Sequence, residues 1–146
     1  VARVQLALNV ADVDAAVDFY ERLFGTVAAK RRPGYANFEI ADPPLKLVLI
    51  EAPEGGTLNH LGVEVGSAGE VAEAEDRLRT DGLATTGVDA TVCCYAEKVE
   101  TWLTDPDGAR WEWYVKTGDA EEMPLRVRTG ADRTGESEPP EPVCCA

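Results

Sequence analysis

An internal repeat limits the fold of this chain more than any other feature. Gln5-Leu-Ala-Leu-Asn-Val10 lies over His60-Leu-Gly-Val-Glu-Val65 at an offset of 55, and the same offset pairs Arg22-Leu23 with Arg77-Leu78. Each copy opens on an alternating, strand-like stretch and passes into a helical period, so one supersecondary unit occurs twice. The duplication predicts internal pseudo-twofold symmetry. At 146 residues the chain can bury one core but not two independent ones, so one site per chain is expected.

In the first copy Asp12 is placed to cap a helix whose apolar positions Val13, Ala16, Val17, Tyr20, Leu23 and Phe24 recur at helical spacing before Gly25 ends it. Strand-like runs follow at about Thr26–Arg31, Tyr35–Ile40 and Leu45–Glu51, separated by Pro33-Gly34 and Asp42-Pro43-Pro44. The second copy has a capping-box pattern at Ser67 and Glu70, a buried stripe of Val71, Ala74 and Leu78, and Gly82 at the helix end. Its strands are expected at about Thr85–Val92, Val99–Thr104 and Arg110–Val115, the last two joined by the turn Asp105-Pro106-Asp107-Gly108. The reading is an α+β fold of two tandem βαβββ modules, about residues 1–52 and 58–116, in a single domain over residues 1–116. Residues 117–146, with four prolines, little apolar periodicity and a charge of −4, read as a disordered tail.

Strand parity then sorts side chains onto faces. Leu6, Leu8 and Val10 point one way, toward the helix, and leave Gln5, Ala7 and Asn9 on the other face. His60, Gly62 and Glu64 are left by Leu61, Val63 and Val65, and Glu112 with Tyr114 by Trp111, Trp113 and Val115. Gln5 and His60 hold equivalent repeat positions, so a symmetric pairing of the modules brings them together about the pseudo-axis. Glu112 comes from the closing strand. The three are candidate metal ligands in a cup between the modules.

Charge narrows the partners. Fourteen basic residues against 27 acidic give −13, a field that repels nucleic-acid phosphates and anionic membranes and favours a neutral or cationic small ligand. No run of about 18 apolar residues is present, and the first ten residues lack the basic flank of a signal peptide, so a cytoplasmic location is expected. The four cysteines form two adjacent pairs, Cys93-Cys94 and Cys144-Cys145, which is the pattern of reduced thiols rather than of a disulfide framework.

Two such modules with polar residues on first and last strands resemble the vicinal-oxygen-chelate superfamily of glyoxalases, extradiol dioxygenases and antibiotic-resistance proteins. Thr91-Val-Cys-Cys-Tyr-Ala96, with Lys98, Trp102, Thr104-Asp-Pro-Asp-Gly108 and Trp111-Glu-Trp113, is more specific. These stretches resemble the organoarsenical carbon–arsenic lyase branch, which also takes in cadmium-induced proteins. The resemblance implies Fe(II) held by Gln5, His60 and Glu112, dioxygen as co-substrate, and trivalent arsenic bound by Cys93 and Cys94. It implies cleavage of methylarsonous acid and reduced aromatic arsenicals to arsenite, with Cys93, Cys94 and Glu112 as the residues closest to the chemistry.

That donor set suits the implied ion, since one His, one carboxylate and one amide leave positions of an octahedral ion open. Neighbours in an extended strand point to opposite faces and cannot grip one atom, so Cys93-Cys94 must sit on a bend. Residues 86–98, with Gly87, Asp89 and poor alternation, read as a flap that closes over the substrate, and Lys98 supports the thiolates by placing a positive charge nearby. Tyr95 and Trp102 read as packing residues and Cys144-Cys145 as a spare pair. A non-catalytic binder of arsenic, cadmium or a similar soft ion is the alternative function, and the chain is expected to be a monomer or a homodimer.

Overall fold

The computed structural model describes residues 2–93 and 95–119. The first module runs β1 (Arg3–Val10), α1 (Val13–Phe24), β2 (Lys30–Arg32), β3 (Tyr35–Ile40) and β4 (Leu45–Glu51). The second runs β5 (Thr57–Glu64), α2 (Ala68–Thr80), β6 (Asp89–Cys93), β7 (Ala96–Thr104) and β8 (Arg110–Asp119). This is the βαβββ unit twice, as the repeat predicts. All eight strands join one curled sheet in the order β2-β3-β4-β1-β5-β8-β7-β6, so the modules meet at the β1–β5 seam.

Both helices start and stop where local chemistry requires. Asp12 accepts the Ala15 N–H at 3.1 Å, and Gly25, at φ +61°, supplies the left-handed residue that ends α1. Ser67 accepts the Glu70 N–H at 3.2 Å while the Glu70 carboxylate accepts from Gly66 N at 2.7 Å, so two orphan donors at the start of α2 are met. At its other end Asp81 caps the helix and Gly82 follows at φ +83°. Each helix covers its own module: α1 packs Val13 and Val17 on Phe38, Ile40, Leu47 and Leu49, and α2 packs Val71 on Val65 and Val115. The same sheet face carries both, which leaves the opposite face free for a site.

Three boundaries differ from the sequence reading. The run at 26–31 gives only Lys30–Arg32 as strand, because the carbonyl ends of α1 first have to be capped by a turn. Within residues 86–98, read both as a strand at about Thr85–Val92 and as a flap, strand β6 starts later and pairs with β7 from Asp89↔Glu100 to Cys93↔Ala96, with β7 lying along β8. Strand β8 continues to Asp119, three residues past the expected domain end at Lys116. Residues 120–146, most of the expected tail and the pair Cys144-Cys145, lie outside the described residues, as does Cys94. Among the described residues no helix is long and apolar enough to cross a membrane.

Candidate metal centre at the module seam

The seam places the ligand candidates. Gln5 lies opposite Gly62, and Ala7 opposite His60, in the antiparallel β1–β5 ladder. Adding the repeat offset to Gln5 and Ala7 gives His60 and Gly62, so the two pairs exchange under the pseudo-twofold and its axis passes between them. Glu112 is brought in by the parallel pairing of β8 with β5, opposite Gly62.

All three side chains are buried, at 2 % exposed for Gln5, 1 % for His60 and 0 % for Glu112. Gln5 Nε2 is 2.7 Å from Glu112 Oε1 and 3.2 Å from His60 Nε2, and His60 Nε2 is 3.5 Å from Glu112 Oε1. Donors at roughly 2.1 Å from an octahedral ion stand about 3 Å apart in neighbouring positions, so this triangle matches one face of such an ion. Among the described residues no three His, Cys, Asp or Glu side chains converge on an ion site, so the trio is complete only through the amide of Gln5. Gly62 makes the convergence possible, because a Cβ there would stand 3.1 Å from both Gln5 Nε2 and Glu112 Cγ and 3.0 Å from the Glu112 carbonyl.

Neighbouring groups orient each donor. The His60 Nδ1–H donates to Asn59 Oδ1 at 2.8 Å, which leaves Nε2 with its lone pair toward the trio, and Asn59 is itself held by Asn9 at 3.0 Å. Trp102 packs edge-on against the imidazole at 5.2 Å between centroids. Gln5 Oε1 accepts from the Tyr114 hydroxyl, which also lies 3.0 Å from Glu64 Oε2. A half-turn of the Gln5 amide puts Oε1 among the donors and Nε2 against Tyr114 OH, which then accepts from Gln5 and donates to Glu64. The residues therefore fit an ion held by one imidazole, one carboxylate and one amide oxygen.

Electrostatics keep Glu112 ionised. Burial pushes its carboxyl upward, but the Lys98 ammonium, 3.1 Å from Oε1 and 3.4 Å from Oε2, together with His60 and a hydrogen bond from Glu100, more than offsets that and holds it well below the usual range. Lys98 therefore forms a buried ion pair with Glu112. Glu100, in contrast, is raised to about 8 by burial and by the charge on Glu112, and is neutral at pH 7.

Repeat symmetry also explains why the set has three members. Ala7↔Val48 in the first module is equivalent to Gly62↔Glu112 in the second, so Val48 stands where a fourth donor would be. Valine cannot ligate, and that side of the site stays open.

Cys93 ends β6 and pairs with Ala96, and Tyr95 lies in the turn between the two strands. Tyr95 has φ +59°, so the chain turns sharply at this residue. Its ring is buried against Tyr35 at 5.1 Å, which anchors the turn over the cleft.

The cleft above the trio is narrow, about 20 Å³, with Tyr35, Asn37, Val48 and Tyr114 in its walls. Lys30, Lys46, Lys98 and Lys116 also line it, and these are all the lysines of the chain. The overall −13 therefore does not describe the cleft, whose lining carries the four lysines together with Glu64. Sequence reasoning missed Asn59, Lys46 and Lys30. Parity along β8, which places Glu112, Tyr114 and Lys116 on one face, was the available signal for Tyr114 and Lys116.

The sequence model of the Glyoxalase/Bleomycin resistance protein/Dioxygenase superfamily matches residues 3–113. The trivalent organoarsenical cleaving enzyme of Thermomonospora curvata is 56 % identical over 124 residues, 84 % of this chain and 82 % of that protein. The cadmium-induced protein CadI of Mycobacterium tuberculosis is 52 % identical over 145 residues, 99 % of this chain and 93 % of that protein. Among solved structures, the 2,3-dioxygenase LapB of Pseudomonas sp. KL28 matches with a TM-score of 0.62 at 22 % identity, over 81 % of this chain and 42 % of that one. That likeness concerns the fold alone. The chain belongs to the glyoxalase/bleomycin resistance/dioxygenase superfamily and, within it, to the branch of the trivalent organoarsenical cleaving enzymes and the cadmium-induced protein.

Proposed function

We propose that the protein cleaves the carbon–arsenic bond of trivalent organoarsenicals in the presence of Fe(II) and O₂, releasing arsenite as a detoxification reaction. The observation that carries this reading is the convergence of Gln5, His60 and Glu112 at the seam, within 3.5 Å of one another and open on the Val48 side. The 56 % identity to a protein described as a trivalent organoarsenical cleaving enzyme supports it.

Gln5 Oε1, His60 Nε2 and Glu112 Oε1 would hold the ion. An Fe(II) ion held there would supply redox chemistry toward dioxygen. Lys98 keeps Glu112 ionised and fixed, and Tyr114 and Asn59 orient the other two donors. At the β6–β7 turn the thiols of Cys93 and Cys94 displace two hydroxyls from arsenic, forming two As–S bonds and releasing two waters. This clamp orients the carbon–arsenic bond toward the ion.

For methylarsonous acid, CH₃As(OH)₂ plus O₂ gives As(OH)₃ plus CH₂O. The methyl carbon supplies all four electrons and arsenic stays trivalent, so no further reductant is needed. A cleft of about 20 Å³ has room for little more than one water-sized group, so admitting an arsenical requires its walls to open.

Fe(II)-reconstituted protein incubated aerobically with methylarsonous acid tests the proposal by separation of arsenic species. Arsenite should appear with matching oxygen uptake, and protein that retains iron but releases no arsenite would overturn it. Cys93→Ser and Cys94→Ser should each abolish release while iron stays bound; unimpaired turnover in both would remove the clamp. Identity to the cadmium-induced protein along 93 % of its length favours a second reading, soft-ion binding without turnover. Stoichiometric arsenic or cadmium binding without oxygen uptake distinguishes that reading.

A further inference from the structure

We propose that the cleft has a second anchoring point, at Lys30 and Lys116, for an anionic substituent on the organic group of its ligand. The inference rests on the organoarsenical reading for the nature of that ligand. Carboxylate, sulfonate and phenolate are the substituent chemistries it would take.

The distribution of charge is the first observation. A chain with 27 acidic residues has four lysines, and all four face the same cleft. Lys98 is matched by Glu112 at the floor, and Glu64 is engaged by Arg3 at 2.7 Å. Lys30, Lys46 and Lys116 have their acidic partners at the rim instead: Asp119 for Lys30 and Lys116, Glu39 for Lys46.

The second observation is a carboxylate already seated where the substituent would go. Lys30 Nζ and Lys116 Nζ both lie 2.7 Å from the same oxygen, Asp119 Oδ1. Two ammonium groups aimed at one oxygen make a preorganised anion cradle. Asp119 is the peripheral member, with a side chain 70 % exposed against 12 % for Lys30, so it can swing into solvent while the cations stay in place. An exposed ion pair contributes little, and an incoming anion of fixed geometry competes with it readily.

Position ties the cradle to the ligand. Asp119 pairs with Ala96, the residue after the hairpin turn, and Lys30 Nζ also donates to the Tyr95 carbonyl at 2.8 Å. A substituent held by Lys30 and Lys116 thus lies beside the turn that bears Cys93, while Lys46 adds positive potential from the neighbouring wall. Asp119 acts as a resident competitor that a charged ligand displaces and an uncharged one does not.

Anaerobic titration, followed by tryptophan fluorescence, compares phenylarsonous acid with its carboxyphenyl isomers on the full chain. The wild type should bind at least one carboxylated isomer about tenfold or more tightly than the uncharged parent, and the preference should shrink as salt is raised. In Lys30→Met/Lys116→Met the ratio should fall to about one, and in Asp119→Asn, which leaves the lysines in place, it should rise. Equal affinities in the wild type, or a ratio unchanged in both variants, would overturn the cradle. Benzoate is titrated separately. If no arsenical binds but benzoate does, and does so more weakly in the double-lysine variant, the arsenic clamp fails and the cradle stands. If neither binds, both fail.

Discussion

Tyr114 holds Gln5 through a hydroxyl that can give its proton to either Gln5 or Glu64, and this freedom lets the amide present nitrogen or oxygen to the trio. Tyr114→Phe keeps the ring under Lys98, whose Nζ lies 4.6 Å from its centroid, but removes that pivot. The expected outcome is about 10- to 100-fold weaker Fe(II) or Co(II) binding by competition with a chelator, with little change in fold by circular dichroism. Gly62→Ala acts by crowding. Its methyl would need the Gln5 amide, Glu112 Cγ or the Glu112 carbonyl to retreat from about 3 Å, which separates the donors. Metal affinity should fall there also, although no ligand has been replaced. Gly62 was placed on the right face by parity, but its closeness to two ligands depends on a register that no local pattern specifies.

Between elements, Glu75 ties α2 to the far side of the second module. Its Oε1 accepts from Thr85 Oγ1 and Arg79 Nε, each at 2.5 Å, and its Oε2 from Thr101 Oγ1 at 2.7 Å. Burial pushes this carboxyl up, but those hydrogen bonds more than offset it and the net shift is downward from 4.5. A lowered carboxylate stabilises the fold above its ordinary value and loses that contribution as pH falls through the folded value. Glu75→Gln should therefore cost about 1–3 kcal/mol at pH 7 in urea unfolding, and the difference from wild type should narrow below about pH 4.5. The caps of both helices and the hairpin turn at 105–108 were legible because each depends on residues three or four apart in sequence. The strands of the β6–β7 hairpin were legible as runs at about Thr85–Val92 and Val99–Thr104, but not their register or the start of β7 at Ala96, which are set by β7 lying along β8. Tyr95, read from the sequence as a packing residue, carries a turn there at φ +59°.

Across the whole molecule the duplication was readable, because an offset of 55 survives in the residues themselves, and it carried the two modules and the meeting of Gln5 with His60; that all eight strands join one sheet was not read from it. Total charge was the poorest guide: −13 is a sum over surfaces, and folding collected the four lysines into one place. The same symmetry makes Val48→Glu informative. A carboxylate at the position equivalent to Glu112 should tighten Co(II) binding and occupy the open side, suppressing arsenite release. Without metal this variant should be less stable than wild type by a few kcal/mol, since Val48 is 3 % exposed and the new charge would be buried unpaired. Gln5 belongs to one half of the duplication, and His60 and Glu112 to the other, so under the proposed ligation the ion would be a crosslink between halves that no peptide bond replaces. Losing the ion and loosening the β1–β5 ladder then become one event, and a chelator should speed hydrogen exchange along the seam before it does so beneath either helix.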